Sequence, residues 1–306
     1  MDIGTIQDML DVDRYELLTL AIDFTAFAVM MALSGRMVGG MARVRTFEEL
    51  TGRDNVAFGI PFAAAIFSIA IMMSGAVSGA PSITLVHEAG IVSAYGGLGI
   101  VLLIMTRLLF DRLALPHIDL RAQVLSGNVA AGVVDAANMV STAIVIRAVM
   151  IWVDNESFAG LMMVFVGFLF SQFVMFAVTY YRQWVYRRRH QGAALQTALE
   201  EGNLALALRY FGHRIGAALA ITAASGIVFY SDREPTLSAF FWSSISLVMV
   251  IAVSLLAIAA RHLILLRVDI AEEVGRQRNV AVGLAEGLIY IALGLIMAAL
   301  FAATID

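Results

Sequence analysis

Eight stretches of this chain are each apolar enough and long enough to cross a bilayer as a helix, and little sequence is left between them. A spanning helix needs roughly 20 mainly apolar residues, whereas a barrel strand needs only about 9–11, so the run length selects helices. The runs lie near 17–42, 55–78, 86–110, 128–152, 157–181, 204–229, 237–260 and 280–303. Of the 306 residues, 60% are hydrophobic and 14% charged, a departure from soluble composition in the direction that lipid demands. The predicted fold is therefore all-α, a polytopic membrane protein with the lipid bilayer as its first partner. The acidic start of the chain lacks the basic region and cleavage site of a signal peptide.

All twenty basic residues are arginines, and their distribution sets an expected orientation. Arg36, Arg43, Arg45, Arg53, Arg107, Arg112, Arg121, Arg182, Arg187, Arg188, Arg189, Arg261, Arg267, Arg276 and Arg278 follow the odd-numbered spans. The other side carries only Arg14, Arg147 and Arg233, beside Asp154, Glu156, Asp232 and Glu234. Both termini are expected outside, with the long loops cytoplasmic. Tyr181, Trp184 and Tyr186 read as an inner aromatic belt, and Trp152 and Tyr230 as an outer one. Gln191 to Glu201 reads as a short amphipathic segment before the sixth span.

The even-numbered spans begin alike. Span four starts Asn128-Val129-Ala130-Ala131-Gly132 and reaches Asp135; span eight starts Asn279-Val280-Ala281-Val282-Gly283 and reaches Glu286. Asn55 and Gly59 open span two in the same way, and Asn203 opens span six with Ala207 in the glycine's place. The four asparagines stand 73, 75 and 76 positions apart. Four helix pairs result, grouped as two parallel four-helix repeats, 1–152 and 153–306.

These repeats resemble the YjfL-like inner-membrane family, known as domain of unknown function 350. The shared features are a four-helix unit, the Asn-apolar-Ala-apolar-small start of its second and fourth helices, and the link from Leu103 to Asn128. The resemblance implies two fused copies in a bacterial inner membrane. It brings no established activity. Its relatives lie near envelope-stress proteins and ATP-grasp-type ligases. A unit fused as two copies also suggests that unfused units pair, so a homo-oligomer is expected.

Several residues carry a choice of roles. Each Asn stands where a helix has unpaired N–H groups and is suited to cap it, while four such ends together could also hold an anion. Gly59, Gly132 and Gly283 allow close helix contact. Asp135 and Glu286 sit seven residues past their Asn, about 10 Å into the helix at roughly 1.5 Å per residue. A charge at that depth costs about 2.5–3.5 kcal/mol and needs partners, for which span six offers Arg209, His213 and Arg214. Asp23 and Arg147 form a second expected pair near the outer side. The inner cluster either fixes helix register or forms a proton or cation relay.

Two functions follow. One is a small transporter or channel-like protein with its polar site between the repeats. The other is a non-transporting scaffold in an envelope-stress response that docks a cytoplasmic partner through its arginine-rich loops. An enzyme, a cofactor and a nucleic-acid partner are not expected: the chain has no Cys, no P-loop or dinucleotide fingerprint, and its five His show no metal-ligand spacing. His87-Glu88 lacks the second His of a zinc-protease motif.

Overall fold

The computed structural model describes residues 14–42, 45–79, 84–153 and 160–301. Arg43, Asp154 and Glu156, counted above for orientation, lie outside these, as do the side chains of Arg14 and Arg36. Eight long helices follow one another: α1 Arg14–Ala42, α2 Val56–Ala76, α3 Leu85–Leu109, α4 Val129–Trp152, α5 Gly160–Arg189, α6 Leu204–Ala224, α7 Pro235–Ile264 and α8 Val280–Leu300. Each contains a stretch apolar and long enough to span a bilayer. The chain is thus a polytopic α-helical membrane protein. Helix α5 runs well beyond its apolar stretch, because hydropathy marks the edge of the hydrocarbon rather than the end of the hydrogen-bond ladder.

The even helices start as their asparagines dictate. The side chain of Asn55 accepts from Phe58 N–H (3.1 Å), Asn128 from Ala131 (3.2 Å), Asn203 from Leu206 (3.0 Å) and Asn279 from Val282 (3.3 Å). Each cap is worth about 1 kcal/mol in water. The residue before each Asn is left-handed: Asp54 (φ 47°), Gly127 (φ 91°), Gly202 (φ 78°) and Arg278 (φ 55°). Glycine adopts this conformation freely. Arg278 does not, and its guanidinium is tied to Glu201, at 3.0 Å to the carbonyl and 2.5 Å to the carboxylate. A short turn precedes each: Glu48–Gly52, Leu120–Leu125, Leu195–Glu200 and Ala271–Arg276. In the third of these Leu195 and Leu199 are buried, as the amphipathic reading of that segment requires.

The helices form two staggered rows. The even row runs α2, α4, α6, α8, with close contact between successive members. The odd row runs α1, α3, α5, α7, and α3, α5 and α7 each pack over two neighbouring even helices. Helices α4 and α6 lie in the middle and are the most buried of the eight.

Small residues decide how closely the even helices approach. A Cβ added to Gly132 would come within 2.5 Å of the Ala57 carbonyl oxygen, and one added to Gly283 would overlap that of Ala205. Gly212 and Gly287 leave no room for a Cβ between α6 and α8. Gly59 differs, for its nearest neighbour would be Leu50 Cδ2 at 3.7 Å, so it meets no other even helix. The aromatic belts also hold only in part. Tyr181 and Trp184 are exposed and stacked on each other, but Tyr186 is buried against His190. Trp152 is buried too, stacked on Trp242 and edge-on to Tyr230, with its Nε1–H donated to the Val228 carbonyl (2.6 Å). These two serve packing.

Candidate functional site

Asp135 and Glu286 both point into the bundle and meet arginine. Asp135, 3% exposed, accepts a 2.7 Å hydrogen bond at Oδ2 from Arg107 Nη2 of α3. Glu286 has no exposed surface and takes two partners. Its Oε1 accepts from Arg209 Nη2 of α6 and Arg261 Nη1 of α7, each at 3.1 Å, and its Oε2 lies 2.5 Å from Arg209 Nε. The two sites are built alike: an acid on the fourth helix of the repeat and an arginine near the end of the third.

The second repeat adds more. Arg209 stands six residues past Asn203, where the first repeat has Pro61 six past Asn55. Around the Glu286 pair lie Tyr290, one turn along α8, and Arg182 of α5, whose Nη2 donates to the Tyr290 hydroxyl (2.7 Å). That guanidinium also stands over the Tyr290 ring, 4.9 Å from its centre. His213 meets the same ring edge-on at 4.0 Å, and its buried Nε2 has no hydrogen-bond partner among the described residues. Two guanidinium groups therefore hold the carboxylate and a third stands beside it on Tyr290, about 10 Å from the Asn-capped ends of the helices.

Arg214 departs from expectation. It is 1% exposed, yet no carboxylate among the described residues lies within ion-pair distance of it. Neutral oxygens hold it instead: Asn138 Oδ1 (2.7 Å), the Met175 carbonyl (3.0 Å) and Thr179 Oγ1 (3.3 Å). The reason is rotational. Arg214 faces α4 and α5, whereas Arg209, five residues earlier, faces α8. The expected Asp23–Arg147 pair does not form either. Arg147 Nε donates to Ser74 Oγ (2.9 Å), and the buried Asp23 Oδ1 has no hydrogen bond among the described residues. Asp135 and Glu286 serve separate sites, one within each repeat, so the polar cluster does not lie between the repeats.

In the sequence Arg261 stands only as a marker of orientation, and Arg107 as that and as part of the link from Leu103 to Asn128 that resembles the family. Their partnership was nonetheless visible in the spacing. Arg107 precedes Asp135 by 28 residues and Arg261 precedes Glu286 by 25, each at the end of the span before the acid's own. Tyr290 carries no comparable signal, since Met139 stands at its place, eleven past Asn128, whereas Arg182, 21 before Asn203, has Arg36, 19 before Asn55, near its place in the first repeat.

The family model for a domain of unknown function, DUF350, matches the chain twice, over residues 13–150 and 155–301. The chain belongs to that family, as two fused copies. No curated protein and no solved structure matches it.

Proposed function

We propose that the protein is a small transporter or channel-like protein whose site is the Glu286 cluster, and that its substrate is an anion. One observation carries this. Arg209 and Arg261 pair with Glu286 and Arg182 is bonded to Tyr290 one turn along α8, so the cluster holds three guanidinium groups to one carboxylate, two positive charges more than Glu286 neutralises. A structural ion pair needs one partner per charge, and uncompensated charge in the bilayer is expensive. An anion arriving from the arginine-rich side would complete the balance, with Tyr290 and His213 lending hydroxyl and ring nitrogen contacts. Glu286 holds the guanidinium groups in place while the site is empty. No enzymatic step enters the reading.

The positive-inside rule supports a cytoplasmic arginine-rich side, and with it outside termini; a bacterial inner-membrane setting is what the family resemblance implies. A second reading, the scaffold, draws on Arg187, Arg188 and Arg189, which are solvent-exposed at the end of α5, Arg188 lying 4.3 Å over the Trp184 ring. Such a surface suits an acidic cytoplasmic partner.

Flux into proteoliposomes decides between them, with chloride and phosphate reporters beside pH, potassium and sodium ones and an empty-liposome control. Anion flux is expected, falling at least about tenfold in Arg209→Gln, which removes one guanidinium from the site, about 1.4 kcal/mol or more at the barrier. Flux unchanged in folded Arg209→Gln and Glu286→Gln would sink the transport reading. Silence from every ion in folded protein would favour the scaffold.

A further inference from the structure

Each helix pair meets the next through the same polar contact, three times along the row. The Asn that caps an even helix also reaches the turn of the following pair. Asn55 Nδ2 donates to the Val124 carbonyl (3.2 Å), Asn128 Nδ2 to that of Leu199 (2.9 Å), and Asn203 Nδ2 to those of Val274 (2.9 Å) and Gly275 (3.3 Å). Just inside the helices, the alanine two residues past one Asn faces the small residue four past the next, as Ala57 faces Gly132 and Ala205 faces Gly283.

The row then stops with both halves of that contact unmatched. Asn279 Nδ2 donates to Glu273 Oε2 of its own turn, as Asn55 and Asn128 donate to Glu49 and Gln123 of theirs, but among the described residues it reaches no carbonyl of another turn. At the opposite end, no Asn of the same copy reaches the carbonyls of Leu50 and Thr51 among the described residues. These stand five and four before Asn55, as Val274 and Gly275 stand before Asn279. The helix faces agree. Ala57, Ala130 and Ala205 are buried, but Ala281 is exposed; Gly132, Ala207 and Gly283 are buried, but Gly59 is only half so. Ala63, one turn past Gly59, and Leu288, two turns past Ala281, are exposed as well, where Ala136 and Ala137 of α4 are buried.

We propose that copies of this chain assemble head to tail, the α8 face of one seated on the α2 face of the next, so that the internal contact recurs a fourth time between chains. Lipid hydrocarbon can cover an apolar helix face, but it offers no carbonyl to Asn279 and no donor to the turn at Leu50. A second copy supplies both, in the geometry the chain already uses three times. The two ends complement each other and not themselves, so the interface is heterologous and closes into a ring or extends as a row.

The chain has no cysteine, which leaves a clean background for crosslinking. Gly59→Cys and Ala281→Cys forms with different tags are co-expressed and treated in native membranes with a short bismaleimide, with reaction of each thiol with a small maleimide as the accessibility control. A band joining the two tags is expected in the mixture, with none when either form is expressed alone. The chain carrying both substitutions should give a ladder, whose last rung counts the copies in a ring. Bands from the single forms alone would mean a face-to-face dimer and overturn the proposal. Reactive thiols with no band in any sample would mean a lipid-covered face and overturn it too. Ala63→Cys with Leu288→Cys repeats the test if Gly59→Cys does not fold.

Discussion

A carboxylate with no exposed surface is tolerable only while its partners stay in place, and at Glu286 the partners need it equally. Glu286→Gln keeps the shape and leaves Arg209 and Arg261 facing each other without compensation. Breaking a buried pair in this way costs about 3–5 kcal/mol. Asp135→Asn strands only Arg107, whose side chain is 13% exposed and lies in the last turn of α3, from which it can extend towards the polar interface. The expected order is therefore a large fall in the thermal unfolding midpoint for Glu286→Gln and a smaller one for Asp135→Asn, followed by tryptophan fluorescence in detergent. Equal falls would mean that the second arginine adds nothing. Arg214 illustrates the opposite solution. A cation that is never deprotonated is held by an amide, a carbonyl and a hydroxyl, with the Phe110 ring 5.3 Å from its guanidinium carbon.

At the level of the helix, the glycines are not interchangeable, although their sequence motif makes them look so. Gly283→Val should prevent α8 from approaching α6, because the added carbons would overlap the Ala205 backbone and not a flexible side chain. Gly59→Val has space in the isolated copy. The expectation is loss of monodisperse protein on size-exclusion chromatography for the first and none for the second. What the sequence makes legible follows the same division. Eight apolar runs and four asparagines define the spans, their starts and their pairing, because those depend on local chemistry that recurs. Which face of a helix meets which neighbour depends on rotation about its axis, and the five positions from Arg209 to Arg214 turn α6 by about 140° at roughly 3.6 residues per turn. That is why Arg209 rather than Arg214 pairs with Glu286. The Asp23–Arg147 pair fails for a related reason, since both lie towards the end of the bundle away from the capping asparagines, yet Arg147 is turned towards Ser74 of α2. Small-residue motifs likewise announce close packing without saying whether the opposing surface is in the same copy.

Across the whole molecule, two staggered rows give a structure without a single enclosing core. The two large apolar clusters run across the row rather than dividing at the repeat boundary: one joins Met72 and Tyr95 of the first half to Trp242 of the second, the other Phe58 to Tyr210. The contact between the halves, α4 on α6, is of the same kind as α2 on α4 and α6 on α8 within them. Gene fusion has therefore left no seam in the bundle. A chain whose pairs hold mainly their neighbours should also come apart in the order in which it is built. Drawn upward by its C-terminus on a cantilever, it should surrender one hairpin at a time. Each force peak should release the 73 to 76 residues that separate successive asparagines, and the steepest peak should come when α6 is torn from α4. One abrupt event releasing all eight helices would mean that the rows yield as a block. In mechanical terms, the molecule is a zip rather than a keystone arch.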